Sequence, residues 1–235
     1  RPTLSLPAGH APDDITPTAA QQAVIDAIAP TLSSFRVHLL RGVTGSGKTE
    51  VYLRLIAKVL DADRSAIVLV PEIALTPQTA DRFTRRFGQA NVAVLHSGLT
   101  AAQRHREWAR AVSGQARVVV GARSAVFAPV PRLGLIVVDE EHDSSYKQDR
   151  LPRYNARDVA IKRAQLEHCP VLLGSATPSL ESWHNATGAN PAFTLHELTE
   201  RVAGAALPAV QIVDLREERR LRIRREQGDD GRLHL

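Results

Sequence analysis

Residues 42–49 are the feature that most limits what this chain can fold into. Their sequence, GVTGSGKT, matches the phosphate-loop pattern G-x-x-x-x-G-K-[ST] at every constrained position. The apolar run 37–40 before the loop predicts a buried strand, and apolar residues at helical spacing over 51–60 predict a helix after it. A strand, a glycine-rich turn and a helix in this order are the context in which the pattern binds nucleotide phosphates.

The loop supplies the groups that a nucleoside triphosphate needs. Glycines let the backbone wrap a phosphate closely, and the free N–H groups of the new helix point at the anion. Lys48 is expected to reach the β- and γ-phosphates, and the Thr49 hydroxyl to hold Mg²⁺. The alternative, a glycine turn without a ligand, does not explain the full match. We therefore predict ATP and Mg²⁺ as cofactors, bound by Gly42, Thr44, Gly45, Ser46, Gly47, Lys48 and Thr49.

A second motif, DEEH at residues 139–142, follows the apolar run 133–138. A carboxylate at the end of a strand beside a phosphate loop can bind Mg²⁺, usually through water. The next carboxylate can orient and deprotonate an attacking water. We therefore assign Asp139 to the metal and Glu140 as the catalytic base, which act together with Lys48.

A third motif, GSATP at residues 174–178, follows the apolar run 171–173. Alone, it would predict only a buried strand and a helix cap. Beside the other two motifs, Ser175 and Thr177 are predicted to act as a sensor that links the γ-phosphate to movement.

Strands and helices alternate along the chain, which is typical of an α/β fold with a parallel sheet and helices on both faces. Ligands of such a sheet bind beyond the carboxyl ends of the strands, where all three motifs lie. Short strands near 193–196 and 210–213 are expected to extend an edge. The main strands are predicted near 37–40, 66–70, 92–95, 117–120, 134–138 and 170–173, and the helices near 18–29, 48–61, 78–87, 100–113, 155–168 and 178–186.

The composition limits the class of protein without identifying it. The chain of 235 residues is 43% apolar and 4% aromatic, as expected for a globular α/β domain. No apolar run approaches the ~20 residues that span a membrane, and no signal-peptide pattern is present, so we expect a cytoplasmic protein without a membrane partner. The single cysteine, Cys169, excludes an internal disulfide and a cysteine-rich zinc site within the chain. The start at Arg1 and the absence of methionine predict an excised fragment.

The three motifs together resemble the first motor lobe of superfamily 2 helicases of the DExH type. The segments VPEIALTPQ (70–78), LHSGL (95–99), VGARSAVF (120–127) and DEEHDSSYKQ (139–148) narrow this resemblance to the replication-restart, or primosomal, helicase family. It implies a RecA-like P-loop NTPase lobe of a bacterial 3′–5′ DNA helicase, which couples ATP hydrolysis to strand translocation and unwinding at stalled forks. It also implies as partners branched and single-stranded DNA and other primosome and replication-restart proteins, with zinc only in a C-terminal part beyond this sequence.

The resemblance further assigns residues that contact DNA or couple it to the ATP site. Arg123 is the strongest candidate for a DNA phosphate contact, and a surface arginine paired with a carboxylate is the alternative. Segments 71–78, 96–98 and 121–124 match strand-tracking loops, and the region 146–154 resembles an aromatic-rich loop whose rings stack on bases. The DNA and coupling set is Arg123, Ser124, His142, Tyr146, Lys147, Gln148, Arg153, Tyr154, Ser175 and Thr177.

The adenine contact remains open between two neighbouring residues. Family members place a glutamine before the first helix to face the base, and Gln21 fits by its spacing to Ile28. Gln22 is the alternative, and an exposed helix glutamine without this role is a further one.

Three segments are expected along the chain. Residues 1–15 are predicted as a linker, 16–215 as the ATP-binding lobe, and 216–235 as a charged connector toward a second lobe. The net charge of +5 permits nucleic-acid binding, and the arginines at 216–225 fit a solvated connector and a phosphate-binding strip equally well. Because a second lobe supplies an arginine finger worth ~10³–10⁵ in rate, we expect the isolated chain to hydrolyse ATP poorly.

Two other functions compete with a helicase lobe. The first is a nucleotide-gated DNA-binding or loading module with vestigial hydrolysis. Intact Lys48, Thr49, Asp139 and Glu140 disfavour it, because such a module needs no base beside the metal. The second, a small-molecule P-loop kinase, leaves the DEEH and GSATP motifs unexplained.

Overall fold

The described residues of the computed structural model are 16–202, 214–216 and 219. The chain divides into two units, Arg1–Gly204 and Ala205–Leu235. The predicted linker at 1–15 and the predicted strand near 210–213 lie outside the described residues. So does the connector at 216–235, apart from Arg216 and Arg219. The segment boundaries expected from the sequence stay predictions.

Strands and helices alternate through the first unit, as the sequence predicts. The helices are α1 (Ala19–Ile28), α2 (Lys48–Asp61), α3 (Pro77–Phe87), α4 (Ala101–Val112), α5 (Ala156–Leu166) and α6 (Leu180–Thr187). The strands are β1 (Val37–Gly42), β2 (Ser65–Leu69), β3 (Val92–Leu95), β4 (Val118–Gly121), β5 (Leu133–Asp139), β6 (Lys147–Gln148), β7 (Tyr154–Asn155), β8 (Val171–Ser175) and β9 (Thr194–Leu198). No helix among the described residues has the length and apolar character needed to cross a membrane.

Seven of the described strands form one sheet in the order β3-β4-β2-β5-β8-β1-β9, and each neighbouring pair is parallel. The strands β5, β8 and β1 are therefore adjacent, between β2 and the edge strand β9. Their register aligns Asp139 with Gly174, and Ser175 with Arg41. The three sequence motifs consequently emerge side by side at the carboxyl edge of the sheet.

Two apolar layers cover the sheet, because successive strand residues point to opposite faces. Leu40 and Leu172 pack in the layer formed with α1, α2 and α3. Leu39 and Leu173 pack in the other layer, with small residues of α4, α5 and α6. The predicted α/β fold with helices on both faces is confirmed.

Arg110 of α4 covers the start of the edge strand β3. Its Nη2 donates to the carbonyl oxygens of Gln89, Ala90 and Val92 at 2.8, 2.9 and 3.0 Å. Its Nη1 donates to Glu107 at 2.6 Å, which fixes the guanidinium in place.

A short antiparallel hairpin, not predicted from the sequence, follows the DEEH motif. Strands β6 and β7 pair Lys147 with Asn155 and Gln148 with Tyr154. Each strand is two residues long, so neither gave a recognisable alternation in the sequence.

Candidate nucleotide and DNA-coupling site

The phosphate loop has a backbone that requires glycine at two positions. Gly45 and Gly47 have φ angles of 82° and 81°, in the left-handed region that side chains with a Cβ disfavour. Gly47 is also the N-cap of α2 and makes no side-chain capping bond. The first N–H groups of α2 therefore remain directed at the loop, where an anion can accept them.

Neighbouring elements hold the loop in place. The Val43 N–H donates to the Leu198 carbonyl at the end of β9, and the Val202 N–H donates to the Gly45 carbonyl, at 3.1 and 2.9 Å. On the other side, the Gln21 amide donates from Nε2 to the Ser46 carbonyl at 2.8 Å.

The loop is closely packed and leaves one buried polar atom that a nucleotide phosphate could satisfy. A Cβ on Gly42 would lie only 2.6 Å from Ser46 Oγ and 2.8 Å from Lys48 Cγ, so the lysine stem folds closely over the loop. Ser46 Oγ is buried and has no hydrogen-bond partner among the described residues. A buried polar atom without a partner is costly, and a phosphate oxygen would provide one.

Lys48 and Glu140, the predicted phosphate ligand and base, face each other across the loop. Lys48 Nζ donates to the Gly42 carbonyl at 3.0 Å and lies 3.5 Å from Glu140 Oε1. Glu140 has a φ of 47°, an uncommon conformation for a non-glycine residue that is found at functional sites.

Asp139 is anchored by two tyrosines, a feature that sequence reasoning missed. The Tyr52 hydroxyl donates to Asp139 Oδ1 at 2.9 Å, and the Tyr146 hydroxyl donates to the Asp139 carbonyl oxygen at 2.6 Å. Asp139 also shares a cavity of about 80 Å³ with Thr49, the other predicted Mg²⁺ residue. A carboxylate and a hydroxyl are oxygen ligands of the kind that Mg²⁺ prefers, so these two residues fit the metal.

Burial governs the ionisation of this group of residues. It raises the pKa of Asp139 above its ordinary value, while the hydrogen bond from Tyr52 acts in the opposite direction. Burial also raises the pKa of Tyr52 and Tyr146 well above that of a free phenol, and the nearby Asp139 charge acts in the same direction. Both hydroxyls therefore remain protonated donors.

The predicted sensor contacts the DEEH motif directly. Ser175 Oγ lies 2.8 Å from His142 Nδ1 and accepts the N–H of Thr177 at 2.9 Å. His142 Nδ1 lies 3.6 Å from Glu140 Oε2. The structure thus brings the predicted base, the histidine and the sensor into one chain of contacts.

Glu141 forms a buried junction that sequence reasoning did not assign. Its carboxylate accepts hydrogen bonds from the backbone and hydroxyl of Ser179 at 2.7 and 3.1 Å, and from the Ser182 hydroxyl at 2.9 Å. Arg157 of α5 donates to the same carboxylate at 3.2 Å and to the Ser179 hydroxyl at 2.8 Å. The junction ties the DEEH motif to α5 and to the start of α6.

The predicted DNA segments meet around one cavity of about 310 Å³. It joins residues of the 71–78, 96–98 and 121–124 segments to the β6–β7 hairpin. Arg104 and Trp108 of α4 also line it, and no sequence motif had indicated them. The lining from the predicted segments is Glu72, His96, Ser97, Ala122, Arg123, Ser124, Gln148 and Tyr154.

Arg123 contacts protein backbone at this cavity. Its Nη1 donates to the carbonyl oxygens of Ser145 and Lys147 at 3.2 and 2.6 Å. Among the described residues Arg123 therefore bonds to backbone carbonyls and forms no ion pair with a carboxylate. Arg123 fastens its loop to the segment that follows the DEEH motif.

The aromatic-rich loop divides into a buried part and a more open part. Tyr146 is 1% exposed, so the expectation that its ring stacks on a base is wrong, because its hydroxyl is tied to Asp139. Tyr154 is partly exposed and lies edge-on to Phe127, with ring centroids 5.2 Å apart. Lys147, Gln148, Arg153 and Tyr154 line a second, open cavity of about 620 Å³.

The two candidate adenine residues differ in position. Gln21 is 2% exposed, and its Oε1 accepts the Thr18 N–H in a capping box that starts α1. Gln22 is exposed and donates to Asp26 one turn later. Gln21 is therefore the glutamine that contacts the phosphate loop, while its contact with adenine stays a prediction.

The fold and the site define a phosphate-loop NTPase lobe that carries an acidic motif and a hydroxyl sensor on neighbouring strands. Residues 18–186 match the DEAD/DEAH box helicase family, and the chain belongs to it.

Individual proteins that are similar to this chain indicate a more specific group of helicases. Replication restart protein PriA of Bacillus subtilis (strain 168) is 53% identical over 205 residues, which cover 86% of this chain and 25% of that protein. PriA of a Synechocystis species is 52% identical over 217 residues, which cover 91% of this chain and 26% of that protein. The resemblance to replication-restart helicases is confirmed. The chain spans about a quarter of the length of these relatives.

Solved structures show the same fold. RecG bound to a three-way DNA junction superposes with a TM-score of 0.63 at 23% identity, over 92% of this chain and 28% of RecG. The DEAD-box helicase Mss116 bound to ssRNA and UDP-BeF superposes with a TM-score of 0.54 at 18% identity, over 78% of this chain and 40% of the Mss116 chain.

Proposed function

We propose that this chain is the ATP-binding lobe of a DNA helicase that restarts stalled replication forks. It would couple ATP hydrolysis to DNA strand translocation and unwinding, with the 3′–5′ polarity that the family resemblance implies. The observation that carries the proposal is a continuous set of contacts. One path runs from Lys48 through Glu140 and His142 to Ser175. A second path runs from Asp139 through Tyr146 to the segment that Arg123 contacts, at the cavity of the predicted DNA segments.

Each residue has one expected task in hydrolysis. Lys48 and the loop N–H groups bind the phosphates, and Thr49 and Asp139 hold Mg²⁺, which stabilises the charge that develops on the phosphates. Glu140 accepts a proton from the attacking water. Ser175 and His142 register the γ-phosphate, and the segment 144–148 transmits the change to Arg123 and the DNA cavity.

DNA is the expected partner, as branched forks and single strands, together with other replication-restart proteins in the bacterial cytoplasm. The relatives named replication restart protein PriA support a role beside replication-restart proteins. Backbone N–H groups and small polar side chains around the 310 Å³ cavity suit phosphate contacts that carry no sequence information.

The decisive experiment is steady-state ATP hydrolysis by the full-length protein, with and without fork DNA. We expect turnover that DNA stimulates and that Lys48→Ala abolishes. Turnover by the Lys48→Ala protein at the wild-type rate would exclude this site. A vestigial loading module would bind fork DNA in response to nucleotide without any turnover.

Residues 1–235 alone should hydrolyse ATP poorly and respond little to DNA. Motor lobes of this type act in pairs, and the partner lobe contributes arginines worth ~10³–10⁵ in rate. Strong, DNA-stimulated turnover by the purified chain would contradict this expectation.

A further inference from the structure

Tyr52 occupies an unusual place for an aromatic residue on an apolar helix face. Its spacing on α2 predicts an ordinary core residue, and it is 1% exposed. Yet its hydroxyl reaches the carboxylate of Asp139, on the strand that ends in the acidic motif. Tyr52 lies one helical turn after Lys48, so the helix that begins at the phosphate loop also contacts the residue expected to hold Mg²⁺.

Gly174 makes room for this contact. A Cβ at position 174 would collide with the Tyr52 hydroxyl and would lie 3.5 Å from Asp139 Oδ1. The hydroxyl is therefore enclosed between α2, the end of β5 and the main chain of β8, next to Ser175. Such enclosure leaves a neutral donor little choice of partner other than Asp139.

We propose that Tyr52 is a positioning residue, which orients the Asp139 carboxylate for Mg²⁺ and ties it to the phosphate-loop helix. The inference rests on the proposed function. A carboxylate that holds a metal works best when a second residue fixes its rotamer, and loss of such a partner typically lowers metal affinity ~10–100-fold. Thr49 and Tyr52 lie on one helix and line the same cavity as Asp139, so Tyr52 keeps the two expected metal residues in register.

The test is nucleotide binding by the full-length protein, followed with a fluorescent ADP derivative while Mg²⁺ is titrated. Tyr52→Phe removes only the hydroxyl and keeps the ring in the core. We expect the Mg²⁺ concentration at half-maximal affinity to rise ~10-fold, with unchanged nucleotide affinity in EDTA. Val59→Ala, a buried change on the same helix without a polar contact, controls for lost packing. It should lower the melting temperature and leave the Mg²⁺ midpoint unchanged.

A second variant approaches the same contact from the opposite side. Gly174→Ala should displace the hydroxyl and raise the Mg²⁺ midpoint in the same direction. The double variant should show less than the sum of the two shifts, because both remove one interaction.

The possible results distinguish a failure of the positioning role of Tyr52 from a failure of the proposed function. Equal Mg²⁺ midpoints for wild type and Tyr52→Phe would overturn the positioning role and leave the proposed function intact. Additive shifts in the double variant would also overturn that role. A wild-type protein that binds no nucleotide at any Mg²⁺ concentration would overturn both.

Discussion

Ser175 and His142 share a hydrogen bond of 2.8 Å between the end of β8 and the acidic motif. The serine oxygen also accepts the Thr177 N–H, so the contact fixes the turn after β8 as well as the histidine. The two motifs are 33 residues apart in sequence and meet because β5 and β8 are neighbours in the sheet.

Ser175→Ala should uncouple ATP hydrolysis from strand movement. The alanine fills the same space, so we expect folding and nucleotide affinity to be retained, while DNA-stimulated unwinding falls about tenfold or more. Unwinding of a labelled fork, measured beside ATP turnover, checks the ratio of the two activities. Ser113→Ala, at a hydroxyl that ends α4, is a suitable control. An unchanged ratio in Ser175→Ala would count against the sensor role.

Glu140→Gln should stop hydrolysis and leave nucleotide binding nearly intact. Glutamine keeps the shape of the side chain but cannot accept the proton, and general-base catalysis contributes typically ~10²–10⁴-fold. Single-turnover hydrolysis and fluorescent-nucleotide binding measure the two properties separately. Lys48→Ala is the matched comparison, because it should weaken binding itself. If Glu140→Gln loses binding to the same extent, the assigned roles are wrong.

Arg123→Ala should lower DNA stimulation and spare DNA-independent turnover. The change removes two hydrogen bonds to the segment that follows the acidic motif, which frees that segment from the loop that lines the 310 Å³ cavity. ATP turnover with increasing single-stranded DNA gives both rates in one experiment, at a stated salt concentration. Arg85→Ala is the control, since Arg85 is an exposed arginine on α3. Equal stimulation in the two variants would contradict the coupling role.

Arg157→Ala should destabilise the lobe by about 2–4 kcal/mol, because it removes the cation from the fully buried Glu141 carboxylate. Serine donors remain, which keeps the loss below that of a wholly unpaired charge. Urea unfolding measures the difference. A loss no larger than that of Arg85→Ala, whose ion pair with Asp81 is exposed, would show that the junction adds little.

The buried pair His38 and His196 predicts a dependence of stability on pH. The Thr31 hydroxyl donates to the Ile28 carbonyl at 2.7 Å, so its oxygen accepts from His38 Nε2. His38 Nδ1 must then accept from His196 Nε2, at 3.0 Å. A proton added to His38 would set two N–H groups against each other.

Burial lowers the pKa of His38 to about 4, and the neighbouring His196 and Arg36 act in the same direction. Below pH ~6.5 the unfolded chain takes up a proton that the folded chain refuses, so stability falls as the pH drops from about 6.5 to 4. The loss should reach about 2–3 kcal/mol. His38→Gln should flatten this part of the curve in urea unfolding, and an equally steep curve would contradict the assignment.

The sequence predicted those parts of the site that depend on local chemistry. The phosphate loop and the ends of β5 and β8 have short, recognisable sequence patterns. Each pattern follows a strand, so all three are expected at the carboxyl edge of a parallel sheet. Tyr52, Glu141 and Trp108 were missed for a common reason. Each has the spacing of an ordinary helix or loop residue, and its role depends on residues that lie far away in sequence. The partner of Tyr52, for example, is 87 residues distant.

Tertiary contacts also explain the error at Tyr146. An aromatic residue among Lys147, Gln148 and Arg153 has the composition of a nucleic-acid-binding loop. Only the fold shows that its hydroxyl turns inward to the Asp139 carbonyl. The hairpin β6–β7 could not be predicted from the sequence either, because strands of two residues are too short to show an alternation of apolar and polar residues.

The guanidinium of Arg110 has a consequence for how this protein avoids aggregation. An edge strand of a parallel sheet exposes backbone groups to which another chain can add a strand. Here the carbonyl oxygen of Val92, the first residue of β3, and those of Gln89 and Ala90 in the turn before it are already bonded to one charged side chain. An incoming strand would have to displace that charge and bury it. We therefore expect Arg110→Ala to promote self-association through β3 in crowded solution, while the nucleotide site at the centre of the sheet stays intact.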